Sequence, residues 1–193
     1  MSSLRDRKRV RTRQALVDAA TELFERQGYD ETTIADITAA AEIGARTFFS
    51  YFASKEELLF PESDERVQAT LDAIANRAAD EGPAEVLLRA LSATGERSDD
   101  MVSPLAALRL RLVQTVPAVR GKALQLQLDA QREIARHLAD AFAELDYVRA
   151  SALTGAFIGA ITAVLYALLE EGDPGALKTA VQTAAEVALE PWR

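Results

Sequence analysis

The stretch TTIADITAAAEIGARTFFSYF, residues 32–52, decides how the N-terminal part of this chain folds. The two threonines that open it are good helix N-caps, because their hydroxyl oxygens can accept a hydrogen bond from a free backbone N–H. Apolar residues then recur at helical spacing and predict a short helix that ends near Ala41. Residues 42–44 form a break too short for a linker, and a second short helix follows over residues 45–51. This pattern predicts a helix-turn-helix.

The same stretch supplies a core and an outer face for that motif. The predicted core residues are Ile34, Ile37, Ile43, Phe48 and Phe52. The second helix would lay its outer residues in a major groove about 12 Å wide. Those outer residues are Ala45, Arg46, Thr47, Phe49 and Ser50. Arg46 alone among them can make a bidentate contact to guanine, while Thr47, Ser50 and Tyr51 offer hydroxyls for phosphate oxygens or base edges.

An alternative interpretation is a small helical subdomain, packed by its aromatic residues, that binds no DNA. Residues 48–52 hold four aromatic side chains in five positions, so these surround the helix. They cannot all be core in so small a unit, and we expect Phe49 on the surface. An interaction protein that keeps the motif only as a packing module also stays open.

The flanking sequence extends the helical prediction on both sides. A helix over residues 8–27 would stop at Gly28, with Tyr29 folding back on its last turn. A Ser-x-x-Glu pattern predicts a capping box that opens a fourth helix over residues 54–79. Lys55 would then lie beside free backbone N–H groups, which is a favourable place for a phosphate.

The rest of the chain also reads as helix. Alternating β-branched runs are missing, so the sequence predicts no sheet. Glycine and proline breaks separate five further helices, over residues 83–96, 104–116, 119–143, 147–169 and 175–189. The predicted fold class is therefore all-α, with nine helices.

Charge is distributed unevenly along the 193 residues, whose net charge is −8. Residues 1–13 hold six basic residues against Asp6 alone, whereas residues 53–193 carry the whole net negative charge. This basic arm can meet phosphates, or it is a frayed and solvated terminus. No apolar segment follows the basic residues, so we expect no secretory signal.

Residues 150–169 form an uncharged run of 20 that contains Gly155-x-x-x-Gly159. Length and motif fit a transmembrane helix that dimerises. They also fit a buried helix at a dimer interface in water, because small residues let two helices approach closely in either setting. Neither an aromatic belt nor a basic flank follows, since the next residues are Glu170 and Glu171. We therefore expect no membrane partner.

Catalytic signatures are missing from the sequence. His137 is the one histidine, there is no cysteine, and no nucleophile elbow, HExxH or phosphate-binding loop occurs. We expect no enzyme, no cofactor and no metal.

Residues 12–59 resemble the N-terminal domain of the TetR family of bacterial regulators. The matching residues are Ala19-Ala20, Leu23-Phe24, Gly28-Tyr29, Thr32-Thr33, Asp36-Ile37, Ala40-Ala41, Thr47, Tyr51-Phe52 and Ser54-Lys55-Glu56. Residues 43–52 are similar to a subset of that family with paired phenylalanines in the recognition helix.

The resemblance implies a nine-helix, two-domain, cytoplasmic homodimer that acts as a repressor. A three-helix helix-turn-helix domain (1–52, with the basic arm 1–13) would bind a near-palindromic, double-stranded operator. A helical domain (53–193) would dimerise and bind a small-molecule effector that releases the DNA. The DNA-binding residues would be Thr32, Thr33, Gly44, Ala45, Arg46, Thr47, Phe49, Ser50, Tyr51 and Lys55.

The resemblance also implies where effector and partner bind. A pocket among the middle helices would be lined by Met101, Leu105, Arg109, His137 and Tyr166. A four-helix bundle of helices 8 and 9 would use Gly155, Phe157, Gly159, Ile161, Val164, Leu165, Leu168, Val181 and Val187.

Three residues depart from the family pattern. Glu42 stands where glycine is usual, so a positive φ there would cost about 1 kcal/mol. Phe49 stands where tyrosine is common, so a phosphate-directed hydroxyl is replaced by a ring that can touch a thymine methyl. Thr38 replaces an alanine.

Overall fold

The computed structural model describes residues 4–97, 103–171 and 177–192, and this part of the chain is helical, with no β-strand. The α-helices are α1 (Leu4–Gln27), α2 (Ile34–Ala40), α3 (Ala45–Phe48), α4 (Ser63–Ala75), α5 (Pro83–Arg97), α6 (Pro104–Thr115), α7 (Pro117–Ala141), α8 (Tyr147–Glu171) and α9 (Leu177–Leu189). Two 3₁₀ turns cover Glu56–Leu59 and Glu190–Trp192. The all-α prediction is confirmed for these residues.

Helix α1 ends as the sequence predicts. Gly28 adopts a φ of +90°, which a residue with a Cβ rarely adopts, and its N–H donates to the carbonyl of Phe24 at 3.1 Å. The chain then folds back, so that the ring centroids of Phe24 and Tyr29 lie 5.2 Å apart. This reversal delivers the chain to the start of α2.

Helix α2 begins with a capping box built on Thr33. The Thr33 hydroxyl oxygen accepts the Asp36 N–H at 3.1 Å, and the Asp36 carboxylate accepts the Thr33 N–H at 2.9 Å. Thr32 has a different role, because it is buried and its hydroxyl donates to the Gly28 carbonyl at 2.7 Å. Of the two predicted caps, Thr33 is the one that caps the helix.

The fourth helix differs from its prediction over residues 54–79. The Ser-x-x-Glu pattern does not cap a helix: a 3₁₀ turn forms at Glu56–Leu59, and α4 starts only at Ser63. Glu57 accepts the N–H of Ala53 instead of the N–H of Ser54. Pro61, which has no N–H to donate, lies between the turn and α4. The capping-box prediction is therefore wrong at this position.

Residues pack into two compact units. The first consists of Met1–Pro61 together with Pro104–Lys122, and the second of Glu62–Ser103 together with Ala123–Arg193. The core of the first unit includes Leu16, Val17, Leu23, Phe24, Ile37, Phe48, Phe52, Leu58, Leu59, Leu108, Val113 and Val119. Helix α6 packs on α1 and on the 3₁₀ turn within this unit.

The second unit has its own core. Its buried residues include Leu71, Ile74, Val86, Leu87, Ile134, Leu138, Phe142, Leu153, Phe157 and Leu189. Helices α8 and α9 pack against each other. Within the described residues, one helix is long and apolar enough to cross a membrane, over Tyr147–Leu168 with a mean hydropathy of 1.8. Only 17% of its most apolar window is buried in the single chain.

Candidate nucleic-acid interface

The turn between α2 and α3 is a Schellman motif. The Ile43 N–H donates to the Thr38 carbonyl at 2.8 Å, and the Glu42 N–H donates to the Ala39 carbonyl at 3.1 Å. Glu42 occupies the left-handed position of this motif, with a φ of +53°. The structure therefore confirms that this position needs a positive φ, although it is occupied by a residue with a Cβ.

The recognition segment, residues 45–52, contains less regular helix than predicted. Its α-helix ends at Phe48 rather than Tyr51. Hydrogen bonds of the helical type continue, since the carbonyl of Phe48 accepts the N–H groups of Tyr51 at 2.9 Å and Phe52 at 3.0 Å. The backbone thus keeps helix-type hydrogen bonds up to Phe52, although the regular α-helix ends at Phe48.

Aromatic residues fix the orientation of this segment. Phe48 is fully buried and Phe52 is 3% exposed, so both belong to the core. Phe49 is 58% exposed, as expected, and its ring stands edge-on to Phe48 with centroids 5.2 Å apart and an interplanar angle of 87°. The exposed ring is therefore held by a buried one.

Polar side chains occupy the rest of the exposed face. Arg46 and Thr47 are exposed, and within the described part of the chain the Arg46 guanidinium has no ion pair or hydrogen bond. Ser50 donates to the Thr47 carbonyl at 2.6 Å, which leaves its oxygen able to accept. Gly44 and Ala45 are also exposed, so this face is small, polar and accessible around one arginine.

Basic residues of α1 lie near the end of the recognition segment. The guanidinium carbon of Arg9 is 5.9 Å from the centroid of the half-buried Tyr51 ring. The exposed basic residues in the first turns of α1 are Arg5, Arg7, Lys8, Arg9 and Arg11. Residues 4–13 are helical, so this part of the basic arm is an extension of α1. Arg13 differs from the others, because its guanidinium lies 4.6 Å from the Phe52 centroid and donates to the Pro61 carbonyl.

Lys55 is engaged inside the unit. Its ammonium donates to the carbonyls of Tyr29 and Thr32, both at 2.8 Å, and lies 3.9 Å from the Tyr29 ring centroid. One of its three N–H groups is left for another acceptor. The neighbouring Glu56 accepts a hydrogen bond from the Tyr29 hydroxyl. Burial, and then this hydrogen bond, hold the pKa of Tyr29 well above its usual range.

Glu57 and Lys122 form an ion pair that sequence reasoning missed. The Lys122 ammonium is 2.6 Å from Glu57 Oε1. No local signal identifies this pair, because its members are 65 positions apart in the chain.

The predicted pocket residues fall in both units. Leu105 and Arg109 lie on α6 in the first unit, where both are half-buried and Arg109 donates to the Leu59 carbonyl at 3.2 Å. In the second unit, His137 is exposed with its Nδ1 2.9 Å from the Glu133 carbonyl, and Tyr166 is half-buried. Met101 lies outside the described residues.

The predicted dimer residues lie on α8 and α9 and differ in how far they are buried in the single chain. Phe157 and Val181 are buried in the single chain, so their side chains pack within the second unit. Val187 is 66% exposed. The other residues are half-buried, namely Gly155, Gly159, Ile161, Val164, Leu165 and Leu168.

The motif geometry and its exposed face define a helix-turn-helix DNA-binding domain. Residues 16–60 match the model of the family described as bacterial regulatory proteins, tetR family. Over 141 residues, 70% of this chain, the sequence is 36% identical to the HTH-type transcriptional regulator TcmR of Streptomyces glaucescens. The alignment covers 62% of the length of that relative. Residues 16–60 of this chain are therefore similar to the N-terminal segment of tetR-family proteins.

Solved structures support the fold over nearly the whole chain. A FadR of Thermus thermophilus, a repressor in complex with lauroyl-CoA, has a TM-score of 0.59 at 20% identity, covering 92% of this chain and 93% of its own. A FadR of Bacillus subtilis, in complex with stearoyl-CoA, has a TM-score of 0.60 at 17% identity, covering 91% and 96% respectively.

Proposed function

We propose that this protein is a DNA-binding transcriptional regulator, a repressor that binds a near-palindromic operator as a homodimer. The observation that carries the proposal is the recognition segment, whose outer face is accessible while its inner face is locked by Phe48 and Phe52. We infer that the protein regulates transcription in the cytoplasm rather than catalysing a reaction. Residues 1–52 would contact the DNA, and residues 53–193 would dimerise and bind the effector.

Arg46 is the main base-reading side chain of this proposal. Its guanidinium is exposed and unpaired among the described residues, so it can present a bidentate fork to guanine O6 and N7. Phe49 offers an apolar ring for a thymine methyl. Thr47 and Tyr51 would donate their hydroxyls to phosphate oxygens, and the third N–H of Lys55 would do the same. Ser50 already donates to the Thr47 carbonyl, so its oxygen would accept from an N–H group of a base edge. The Thr33 hydroxyl donates to the Asp36 carboxylate, so Thr33 would act by capping α2 next to the DNA.

Exposed cations on α1 would add affinity that does not depend on sequence. Five basic residues lie within two helical turns, and each phosphate that they neutralise releases condensed counterions. A net charge of −8 on the whole chain does not prevent this contact, because charges beyond about 8 Å are screened at physiological salt.

Dimerisation is proposed through α8 and α9. Most of the apolar window of α8 is unburied in the single chain, which supports a partner helix packed on it. Two glycines four residues apart, Gly155 and Gly159, would let that helix come close. A second copy of the chain presents the same stripe, as a two-fold interface requires.

An effector is proposed because release by a small molecule fits this fold. The two solved neighbours each hold a fatty acyl-CoA, which supports ligand binding by proteins of this architecture. The ligand of this chain would bind within residues 53–193.

The test of the function is gel retardation of duplexes from the promoter nearest its own gene. We expect specific retardation, with log K falling linearly as log salt rises, because phosphate contacts release counterions. An unrelated duplex of equal length is the control. Absence of retardation at low salt would contradict the proposal.

A further inference from the structure

Lys122 is the last residue of the second chain segment that builds the first unit. Its ammonium is 2.6 Å from Glu57 Oε1, and the two side chains are only 17% and 27% exposed. A pair this short and sheltered is screened less than a surface pair, so it fixes the direction of the carboxylate.

The other carboxylate oxygen of Glu57 reaches the recognition segment. Oε2 accepts the backbone N–H of Ala53 at 2.6 Å, and Ala53 directly follows Phe52. One carboxylate therefore joins Lys122 to the end of the segment that carries Arg46 and Phe49.

The carboxylate is ionised near neutral pH. Burial raises the pKa of Glu57, but hydrogen bonds from Lys122 and from the Ala53 N–H outweigh it, helped by the charges of Lys122 and Arg13. The net pKa lies below its ordinary value. Both of its bonds are thus charge-assisted, which makes them stronger than neutral ones.

We propose that Lys122 is a positioning residue for DNA binding. This inference rests on the proposed function. Through Glu57, Lys122 fixes the end of the recognition segment and itself touches no phosphate. Hydrogen bonds to base edges weaken steeply outside 2.7–3.2 Å, roughly, so a small shift of the segment removes base contacts. Contacts to the phosphate backbone by α1 would survive such a shift.

The experiment compares full-length Lys122→Met with the wild type on a duplex selected by the wild type from a random pool. Methionine keeps most of the apolar stem and removes the charge. We expect affinity for the selected duplex to fall about tenfold, as for residues coupled in one network. Affinity for an unrelated duplex and the salt slope should stay unchanged. Lys122→Arg should retain most of the specific affinity.

Two further variants serve as controls. Arg136→Met removes an exposed cation of α7, at a position outside the proposed DNA and dimer interfaces, and should bind like the wild type. Glu57→Gln should show the same specific loss as Lys122→Met, and the double variant should lose little more, because both act through one bond.

Other outcomes overturn the inference in recognisable ways. Equal weakening on both duplexes, with the salt slope reduced by about 0.9, would make Lys122 a phosphate contact. A lower unfolding temperature with unchanged specific affinity would make the pair merely stabilising. Failure of the wild type to enrich any sequence would instead contradict the proposed function.

Discussion

The recognition segment and helix α8 both leave much of their surface uncovered in the single chain, but the uncovered chemistry is opposite. The segment exposes short polar residues, Arg46 and one aromatic ring, Phe49. Helix α8 exposes small and apolar residues over a stretch of which 17% is buried. The first surface suits a hydrated, charged partner, whereas the second suits a dry and self-complementary one.

The difference shows that exposure alone does not identify a binding surface. Phe49 contacts the buried ring of Phe48 edge-on, so its exposed position follows from the fold. The uncovered side of α8 has no such support, and its small residues gain packing only from another helix. Each surface can therefore be removed separately by substitution.

The largest expected effect comes from Gly159→Leu. A Cβ at Gly159 would meet no atom within 4 Å in the single chain, so leucine should fit there but would block a close partner helix. We expect a monomer in sedimentation. Operator affinity should fall by about 100- to 10,000-fold, because bivalent binding is lost.

Gly121→Leu is the matched control for that variant. Gly121 is also a helical glycine with no atom within 4 Å of a built Cβ, but it lies on α7. This variant should remain a dimer. A dimeric Gly159→Leu protein would contradict the assignment of α8 to the interface.

The next effect is expected from Arg46→Ala on the polar surface. Loss of a bidentate guanine contact costs about 1–3 kcal/mol, so affinity for the operator should fall roughly 5- to 150-fold. Discrimination at one G·C pair should disappear in a binding-site selection. Arg136→Ala, at an exposed position of α7, is the control. Uniform weakening on all sequences would instead indicate a phosphate contact.

A smaller effect is expected from Glu42→Gly, which tests the backbone strain in the turn that precedes the recognition segment. Glycine adopts a φ of +53° without the Cβ penalty, so the free energy of unfolding should rise by about 1 kcal/mol. Calorimetry should show an unfolding transition about 2–4 °C higher. Glu42→Ala is the control, because it removes the carboxylate but keeps a Cβ at a positive φ. If alanine raised the free energy of unfolding as much as glycine does, the effect would come from the lost charge and not from relieved strain.

The smallest effect is expected from a single methyl group in the DNA. Replacing the thymine that faces Phe49 by deoxyuridine should weaken binding by about 0.8 kcal/mol, roughly fourfold. Phe49→Ala should weaken binding to the thymine duplex similarly and should no longer distinguish the two duplexes. A Phe49→Ala protein that still prefers thymine would exclude Phe49 as the reader.

Sequence patterns that involve only neighbouring residues were sufficient to predict much of the fold and of the polar surface. Gly28 ends α1 and Thr33 caps α2 because both effects depend on neighbours within four residues. Exposure of Phe49 followed from crowding, since four aromatics cannot share one small core. The positive φ at Glu42 followed instead from the family resemblance, since glycine is usual at this position.

Other features depended on contacts that are distant in sequence. Ser-Lys-Glu-Glu, residues 54–57, satisfies the pattern of a capping box, yet Glu56 bonds to Tyr29 and Glu57 to Lys122. Lys55 turns to the carbonyls of Tyr29 and Thr32 for the same reason. Tertiary partners therefore overrode the local preference, and Lys122 carried no signal of its own.

The composition of the first unit has a consequence for building hybrid regulators. This unit is assembled from two stretches of chain, Met1–Pro61 and Pro104–Lys122. A chimera joined after residue 61 would keep the residues proposed to read the operator but would take the α6 neighbours of Leu58 and Leu59 from a foreign protein. Transplanting the proposed DNA specificity therefore requires moving α6 and the start of α7 with the N-terminal segment, as one discontinuous cassette.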